Sequence, residues 1–463
     1  MREGARRLAG LLGRHRRLVA LVWAALVLAA LPLAAKQTEN LTGGGFEVPG
    51  SESAAVEHAM AEDYAGEAGR NSIGAVLQAD PSATAGQRAA AVDRLVSTVD
   101  QVETLSISDR TAEAARRELA RGDLTAVAIK ASPDTSQQID AAVDLREALE
   151  PGLAVDGVTP YLTGQPAAWA GLQELSKEDL ESAEKTGFPI VALILVAAFG
   201  SLAAAALPLA LGFVAVMLTG AAIFLLSQQI EMSVFVTNMA SMIGIGVAVD
   251  YSLFVLARYL EELRRGSLPD DALAAALSTS GLAVAFSGVA VIISLAGIWM
   301  VDNQALRSMA LGAMIVVAIA ILAAVVLLPT LIALLGKRVE AGGIAWRATR
   351  FMRRSTVERR RRPGSTRPGG DSGFWHRWTE RVMRRPALSI ALSAGFLLVL
   401  AIPALDMKMG TGALDQFPAD HDVRRGVELQ ASATGGGADP IRVVATFPGA
   451  DLGAERNAGA LDE

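Results

Sequence analysis

The sequence predicts a polytopic α-helical membrane protein with an α/β domain in its first long loop. Three observations predict it. Seven apolar stretches are each long enough, at roughly 20 residues, to cross hydrocarbon. Basic residues gather in alternate connections. The pattern of the first apolar stretch begins again near residue 386. Composition agrees: hydrophobic residues make up 52% and charged residues 19%, below the ~25% charged content of soluble domains. There is no cysteine, which excludes a disulfide framework and a thiolate metal site.

The predicted spans are 18–35, 187–205, 207–227, 233–257, 279–300, 306–335 and 387–405. The first follows Arg2, Arg6, Arg7, Arg14, Arg16 and Arg17 in an amino-terminal segment, 1–17. It has the layout of a signal peptide's apolar core. No small-residue cleavage site follows, however, and the later charge pattern needs a first span. Three basic segments, the amino terminus, the loop Arg258–Leu268 and the linker 336–386, then fall on one side. Between 337 and 385 there are 15 Lys and Arg against 4 Asp and Glu. The positive-inside rule places all three in the cytoplasm. The loop 36–185, with 26 acidic and 12 basic residues for a net of −14, goes outside. The Arg run of the linker, mixed with Pro, Gly and Ser, reads first as a solvated tether. Contact with the anionic headgroups of membrane lipids is the sharper reading.

Within 36–185, the segments 71–79, 124–132 and 153–164 carry β-branched residues with turn signals at their ends and read as strands. Segments 83–102 and 135–150 have helical apolar spacing, and Asp134, Thr135 and Ser136 stand where a cap belongs. A last helix, 166–184, runs toward the second span. Alternation of the two element types predicts an α/β or α+β sandwich. His58 is alone and reads as a surface residue, and Trp169 reads as packing.

The restart near 386 is an internal repeat. RRPALSIALSAGFLLVLAIPALD (384–406) repeats RRLVALVWAALVLAALPLAAK (16–36), and IRVVATFPG (441–449) matches IGAVLQADP (73–81). The offset is about 368 residues at both Pro49/Pro418 and Ile73/Ile441. Parallel repeats of this size occur in transporters. Residues 406–463 are expected to begin a second extracytoplasmic domain that stops just past its first strand. On this reading the chain is the amino-terminal part of a longer protein.

The residue that needs a functional explanation is Asp250. It lies eight residues before Arg258 inside the fourth apolar stretch, about 12 Å from the helix end and near the middle of a ~30 Å core. A carboxylate there costs ~2.5–3.5 kcal/mol even on insertion scales, and such residues mark ion paths or buried partners. A static buried hydrogen bond is the bland alternative. Tyr251 follows it and projects about 100° away on a helix, so the two cannot face one partner.

The order of one span, a large loop domain, five spans and a repeat resembles the RND superfamily (resistance–nodulation–division). The local sequences resemble its actinobacterial MMPL branch. The strongest stretch is GIGVAVDYSLFVLARYLEELRRG (244–266). It is supported by GFPIVALILVAAFGSLAAAALPL (187–209), AVAFSGVAVIISLAGI (283–298), LLPTLIALLGKR (327–338), FEVPGSESA (46–54) and TGQPA (163–167). The resemblance implies an RND/MMPL-like bundle with a porter-like α/β domain, sited in the bacterial inner membrane and driven by proton flux. It implies a proton relay through Asp250 and Tyr251, with each Asp pairing with the Tyr of the other half. That second Asp-Tyr pair would belong to a carboxy-terminal half beyond residue 463. Gly244 and Gly246 would let the partner helix pack closely, and Ser287 would either bond the relay or back-bond to its own helix. Lipids, glycolipids and drugs are the implied cargo. No cofactor, metal or nucleic acid is implied, and no nucleophile–base set points to an enzyme. A membrane sensor with a sterol-sensing-like five-helix bundle and an RND-type protein-export helper are the alternative readings.

Overall fold

A computed structural model describes residues 2–38, 40–42, 73–132, 135–152, 157–199, 201–339, 374–405 and 417–434, with a few single positions between them. His58, Asp134, most of 46–54, most of the linker 336–386 and the second-copy strand 441–449 lie outside the described residues. The chain divides into two units. One contains everything described up to residue 339 together with 417–434. The other contains the helices between 374 and 405.

Strands β2 (Gly74–Ala79), β3 (Leu124–Ala128) and β4 (Val158–Thr163) form an antiparallel sheet in the order β3-β2-β4. The short pair β1 (Leu41–Thr42) and β5 (Met232–Ser233) is separate and parallel. The period of two in β2 divides its side chains between two faces. Ala75, Leu77 and Ala79 enter a core with Val92, Leu95, Leu119, Leu145 and Leu162. That core is closed by helices α3 (Ala85–Val99), α4 (Asp109–Arg121) and α5 (Thr135–Leu149). Helix α3 begins at a reciprocal capping box between Thr84 and Gln87, which satisfies two otherwise orphaned backbone donors. Helix α4 is absent from the sequence reading. Its buried residues are Ala112, Ala115 and Leu119, a stripe in which only one side chain is large, so its charges hide its periodicity.

The opposite face of the sheet is covered from far along the chain. Helix α13 (Asp422–Thr434) packs across β4, β2 and β3. Gly426 permits the approach: a Cβ there would stand 2.9 Å from the Leu162 carbonyl oxygen and 3.0 Å from Tyr161 Cβ. Gly171 likewise leaves room for Val423. Phe417 and Val423 are 3% and 0% exposed, and burying such a side chain is worth about 1.5–3 kcal/mol. A charged clasp closes the contact. Arg146 of α5 donates from both Nη atoms to Asp422, each at 2.6 Å, and from Nε to Glu174. Burial alone would lower the Arg146 pKa; the hydrogen bonds and charges of Asp422 and Glu174 outweigh it and hold the value above the ordinary one.

The bundle consists of α2 (Arg16–Ala35), α6 (Gln165–Phe199), α7 (Leu202–Ser227), α8 (Phe235–Arg264), α9 (Pro269–Met300) and α10 (Gln304–Leu335), with α1 (Arg2–Arg14) before them. Helix α6 is 35 residues long, about 52 Å at ~1.5 Å per residue. It therefore unites the expected helix 166–184 with the second span and runs from the sheet into the bundle. That span ends at Phe199 rather than at 205, because Ser201 turns the chain and caps α7 at Ala204. Its hydroxyl also donates to the Val339 carbonyl at 2.9 Å. The expected loop 258–268 is mostly helix. Arg258 pairs with Glu261 and Glu262, and Arg265 pairs with both as well. These i,i+3 and i,i+4 pairs extend α8 until Gly266, at φ +94, supplies the left-handed turn that ends it. Both α9 and α10 contain a wider π-turn, at Leu277–Gly281 and Ala323–Leu327.

In the second unit, α11 (Phe374–Arg384) leads into α12 (Pro386–Leu405). Pro386 at the first position of α12 has no N–H to satisfy, and the Ser389 hydroxyl bridges the junction by donating to the Val382 carbonyl at 3.4 Å. Seven of these helices, α2, α6 to α10 and α12, are long and apolar enough to cross a membrane.

Candidate functional site

Helix α8 is the centre of the bundle and has two unlike faces. It packs against α7 on one flank and α10 on the other. Gly244, Ala248, Tyr251, Ser252, Val255 and Tyr259 are buried on that side. Met242, Gly246, Asp250, Phe254 and Ala257 form an exposed stripe, at spacings of four, four, four and three. Met242 and Phe254 are 66% and 60% exposed, so the stripe is apolar apart from one carboxylate. Asp250 makes no hydrogen bond or ion pair among the described residues. It lies at the surface of the bundle, not in its interior.

Tyr251 points the other way. It is 8% exposed and belongs to the core shared by α7, α8, α9 and α10. Its hydroxyl lies in a notch that Gly288 of α9 leaves open. A Cβ at position 288 would come within 3.2 Å of that oxygen and would collide with Ile321 of α10. The two residues predicted as a relay thus occupy different environments, as the 100° between neighbours requires.

The supporting residues also divide. Gly244 is a close-packing glycine: a Cβ there would lie 2.5 Å from Val316 Cγ2 and 3.4 Å from Val216 Cγ2. Gly246 is not; it lies on the exposed stripe, and nothing among the described residues approaches its Cβ position. Ser287 is exposed and makes no hydrogen bond among the described residues, neither to a relay nor back to its own helix. The neighbour, Gly288, is the residue that matters to Tyr251, and the FSG triplet carried the signal: a glycine inside a span marks a close approach. Among the described residues no cluster of His, Asp or Glu could hold a metal ion.

Seven membrane-length helices, an α/β domain continuous with one of them and a carboxylate on the central span define a multi-pass α-helical protein of the cell membrane. The chain belongs to the MMPL family, whose model matches residues 46–389. It is 40% identical over 450 residues to the "Mycolic acid-containing lipids exporter MmpL11" of Mycolicibacterium smegmatis, covering 96% of this chain and 45% of that protein. It is 38% identical over 449 residues to the "Heme uptake protein MmpL11" of Mycobacterium tuberculosis, with 95% and 44% covered. Against the "Trehalose monomycolate exporter MmpL3" of Mycobacterium tuberculosis the identity is 28% over 301 residues, with 62% and 32% covered. The chain thus spans less than half the length of these relatives.

Proposed function

We propose that this chain forms a membrane bundle and α/β domain of an exporter of lipids or other hydrophobic compounds, driven by proton flux. The observation that carries the reading is Asp250, unpartnered among the described residues on an otherwise apolar stripe of the central span. An ionised carboxylate facing hydrocarbon is costly, whereas one facing a second bundle can be paired or protonated in turn. A second bundle carrying its own titratable pair therefore covers the stripe in the working transporter. Protonation of Asp250 in one arrangement and ionisation in another biases a two-state bundle. One elementary charge crossing 100 mV supplies ~2.3 kcal/mol to that bias. Membership of the MMPL family supports transport, and the names of two of the three relatives support a lipid cargo.

The driving force is tested in cells that depend on the complete reading frame for delivery of a labelled mycolate-containing lipid to the outside. A protonophore is expected to stop delivery within minutes, at constant ATP. Undiminished delivery would reject proton drive while leaving lipid transport intact.

The same reading places the amino terminus and the linker in the cytoplasm and the α/β domain outside, from the charge asymmetry. Because the sequence has no cysteine, single cysteines report cleanly. In intact cells a membrane-impermeant thiol reagent is expected to label Arg110→Cys, on exposed α4, and to miss Ser365→Cys. The reverse pattern would invert the topology.

A further inference from the structure

After the first span the chain crosses the end of the bundle that faces the α/β domain. There β1 pairs with β5, Leu41 opposite Met232 and Thr42 opposite Ser233. Only Val234 separates β5 from the start of α8. The Val234 amide has no acceptor within its own helix and donates to the Thr42 carbonyl at 3.0 Å. Three residues further on, the Gly45 carbonyl accepts from the Ala305 amide at 2.8 Å, in the first turn of α10. Carbonyls of one short strap therefore cap the starts of both α8 and α10. Three residues reach at most about 11 Å, so the two helix starts cannot part widely without losing one of these bonds. Leu41 and Met232 are buried in one core with Ile223 of α7 and Val236 of α8. Gly45 has φ +90, and a Cβ there would stand 3.2 Å from the Ala305 nitrogen, so glycine alone makes this approach without strain. At the same level Gly312 of α10 admits Val236, whose Cγ2 would lie 2.4 Å from a Cβ at 312. On its other flank β1 runs beside α5, the helix whose Arg146 holds Asp422.

We propose that this strap, β1 with Gly45, is the coupling element that carries a displacement of α8 to the α/β domain. Helix α6 joins the domain to the bundle as a single rod, and a body held by one rod can swivel about it. The strap supplies a second attachment and places it on the helix that bears Asp250. The path runs from α8 through the strap to α5, and from α5 through the Arg146–Asp422 clasp to α13. Each step is a packed or hydrogen-bonded contact, which is the physical continuity that coupling between distant sites uses. The starts of α8 and α10, tied by the same strap, move together. The proposal rests on the reading that Asp250 changes charge during transport, and it assigns the element through which that change reaches the domain.

The test follows the position of the domain in the complete protein, reconstituted in liposomes with cysteines confined to two nitroxide-labelled positions. These are Ala148→Cys, exposed on α5, and Met300→Cys, 91% exposed on α9. Pulsed electron spin resonance reads the distance between the labels. With the strap intact, Asp250→Asn, which stands in for the protonated form, is expected to shift that distance by several ångströms. Val234→Pro removes the donor to Thr42 at a residue already at φ −57 and preceded by a strand residue, so proline fits there without strain. In that background the shift should be lost. Gly45→Ala acts at the other end, by straining the left-handed turn and pressing on Ala305, and should abolish the shift as well. Val234→Ala keeps the amide and should keep the shift. A shift undiminished in both Val234→Pro and Gly45→Ala would overturn the proposal in favour of α6 as the sole link. Loss in Val234→Ala equal to that in Val234→Pro would overturn it in favour of side-chain packing alone. The same distance for Asp250 and Asp250→Asn with the strap intact would overturn the coupling itself. Failure of proton drive shows separately, as lipid delivery that survives a protonophore.

Discussion

Asp250→Asn is expected to reduce export to background while the protein remains folded, inserted and at normal abundance. Asparagine has nearly the same volume as aspartate and still hydrogen-bonds, and position 250 lies on the exposed stripe of α8 rather than in its packed face. Packing of α8 against α7 and α10 therefore does not depend on the side chain. What is lost is the ability to take up and release a proton. Asparagine is no costlier to insert than an ionised carboxylate, which costs ~2.5–3.5 kcal/mol at the bilayer centre, so the variant should be at least as abundant in membranes as the parent. Loss of export with undiminished abundance is thus the signature of a functional group and not of a structural one. The measurement is lipid delivery to the cell exterior from the complete reading frame, normalised to membrane protein level. Full export by Asp250→Asn would refute the relay and leave Asp250 as a static polar contact. Tyr251→Phe should be the milder change, because its ring fills the core of the bundle and only the hydroxyl beside Gly288 is removed.

The second large effect is expected at Asp422. Its carboxylate and the guanidinium of Arg146 are 10% and 11% exposed, and Arg146 remains charged at every pH a cell meets. Truncating one partner of a buried pair costs ~3–5 kcal/mol; half-exposed Glu174 stays beside Arg146 and places the expected loss at the lower end of that range. Asp422→Ala should therefore release α13 from the sheet without unfolding the core formed by α3, α4 and α5, which lies on the sheet's other face. Replacing both partners, Arg146→Met with Asp422→Leu, should restore much of the contact, since no buried charge is left unpaired and Glu174 is half-exposed. Amide hydrogen exchange reports the docking, because the backbone of α13 exchanges freely only when the helix leaves the sheet. Asp422→Ala is expected to speed exchange across α13 a hundredfold or more, at 1.4 kcal/mol per tenfold, with the amides of β2 unchanged. Equal exchange in parent and variant would show that apolar burial of Val423 and Phe417 holds the helix without the clasp.

Both predictions depend on contacts of different legibility. Asp250 could be found in the sequence because an ionisable residue inside a long apolar run violates a strong one-dimensional rule. The Arg146–Asp422 pair could not, because its partners are 276 residues apart and each, taken alone, is an ordinary charged residue on a polar helix. Ser287 stands out in the sequence over Gly288 because a hydroxyl advertises chemistry and a missing Cβ does not; only the approach of Tyr251 and Ile321 shows what the absence permits. Gly246 resembled Gly244 in the sequence, two positions away, but two residues turn a helix by about 200°, so one glycine is packed and the other is exposed. Helix α4 is illegible in the sequence for the opposite reason to Asp250: a stripe made mainly of alanine barely disturbs a run of charges.

The sequence by itself determined the membrane spans, the strands of the α/β domain and the carboxylate in the central span. Each of these is a local property, since hydrocarbon thickness, alternation along a strand and the cost of burying a charge all act on consecutive residues. Only the tertiary structure decided which way Asp250 and Tyr251 face, that one helix joins the sheet to the bundle, and that a helix from beyond the seventh span completes the first domain. Those outcomes come from contacts between distant segments, where a glycine, an arginine fork or an open helix face acquires meaning only from what the fold brings against it.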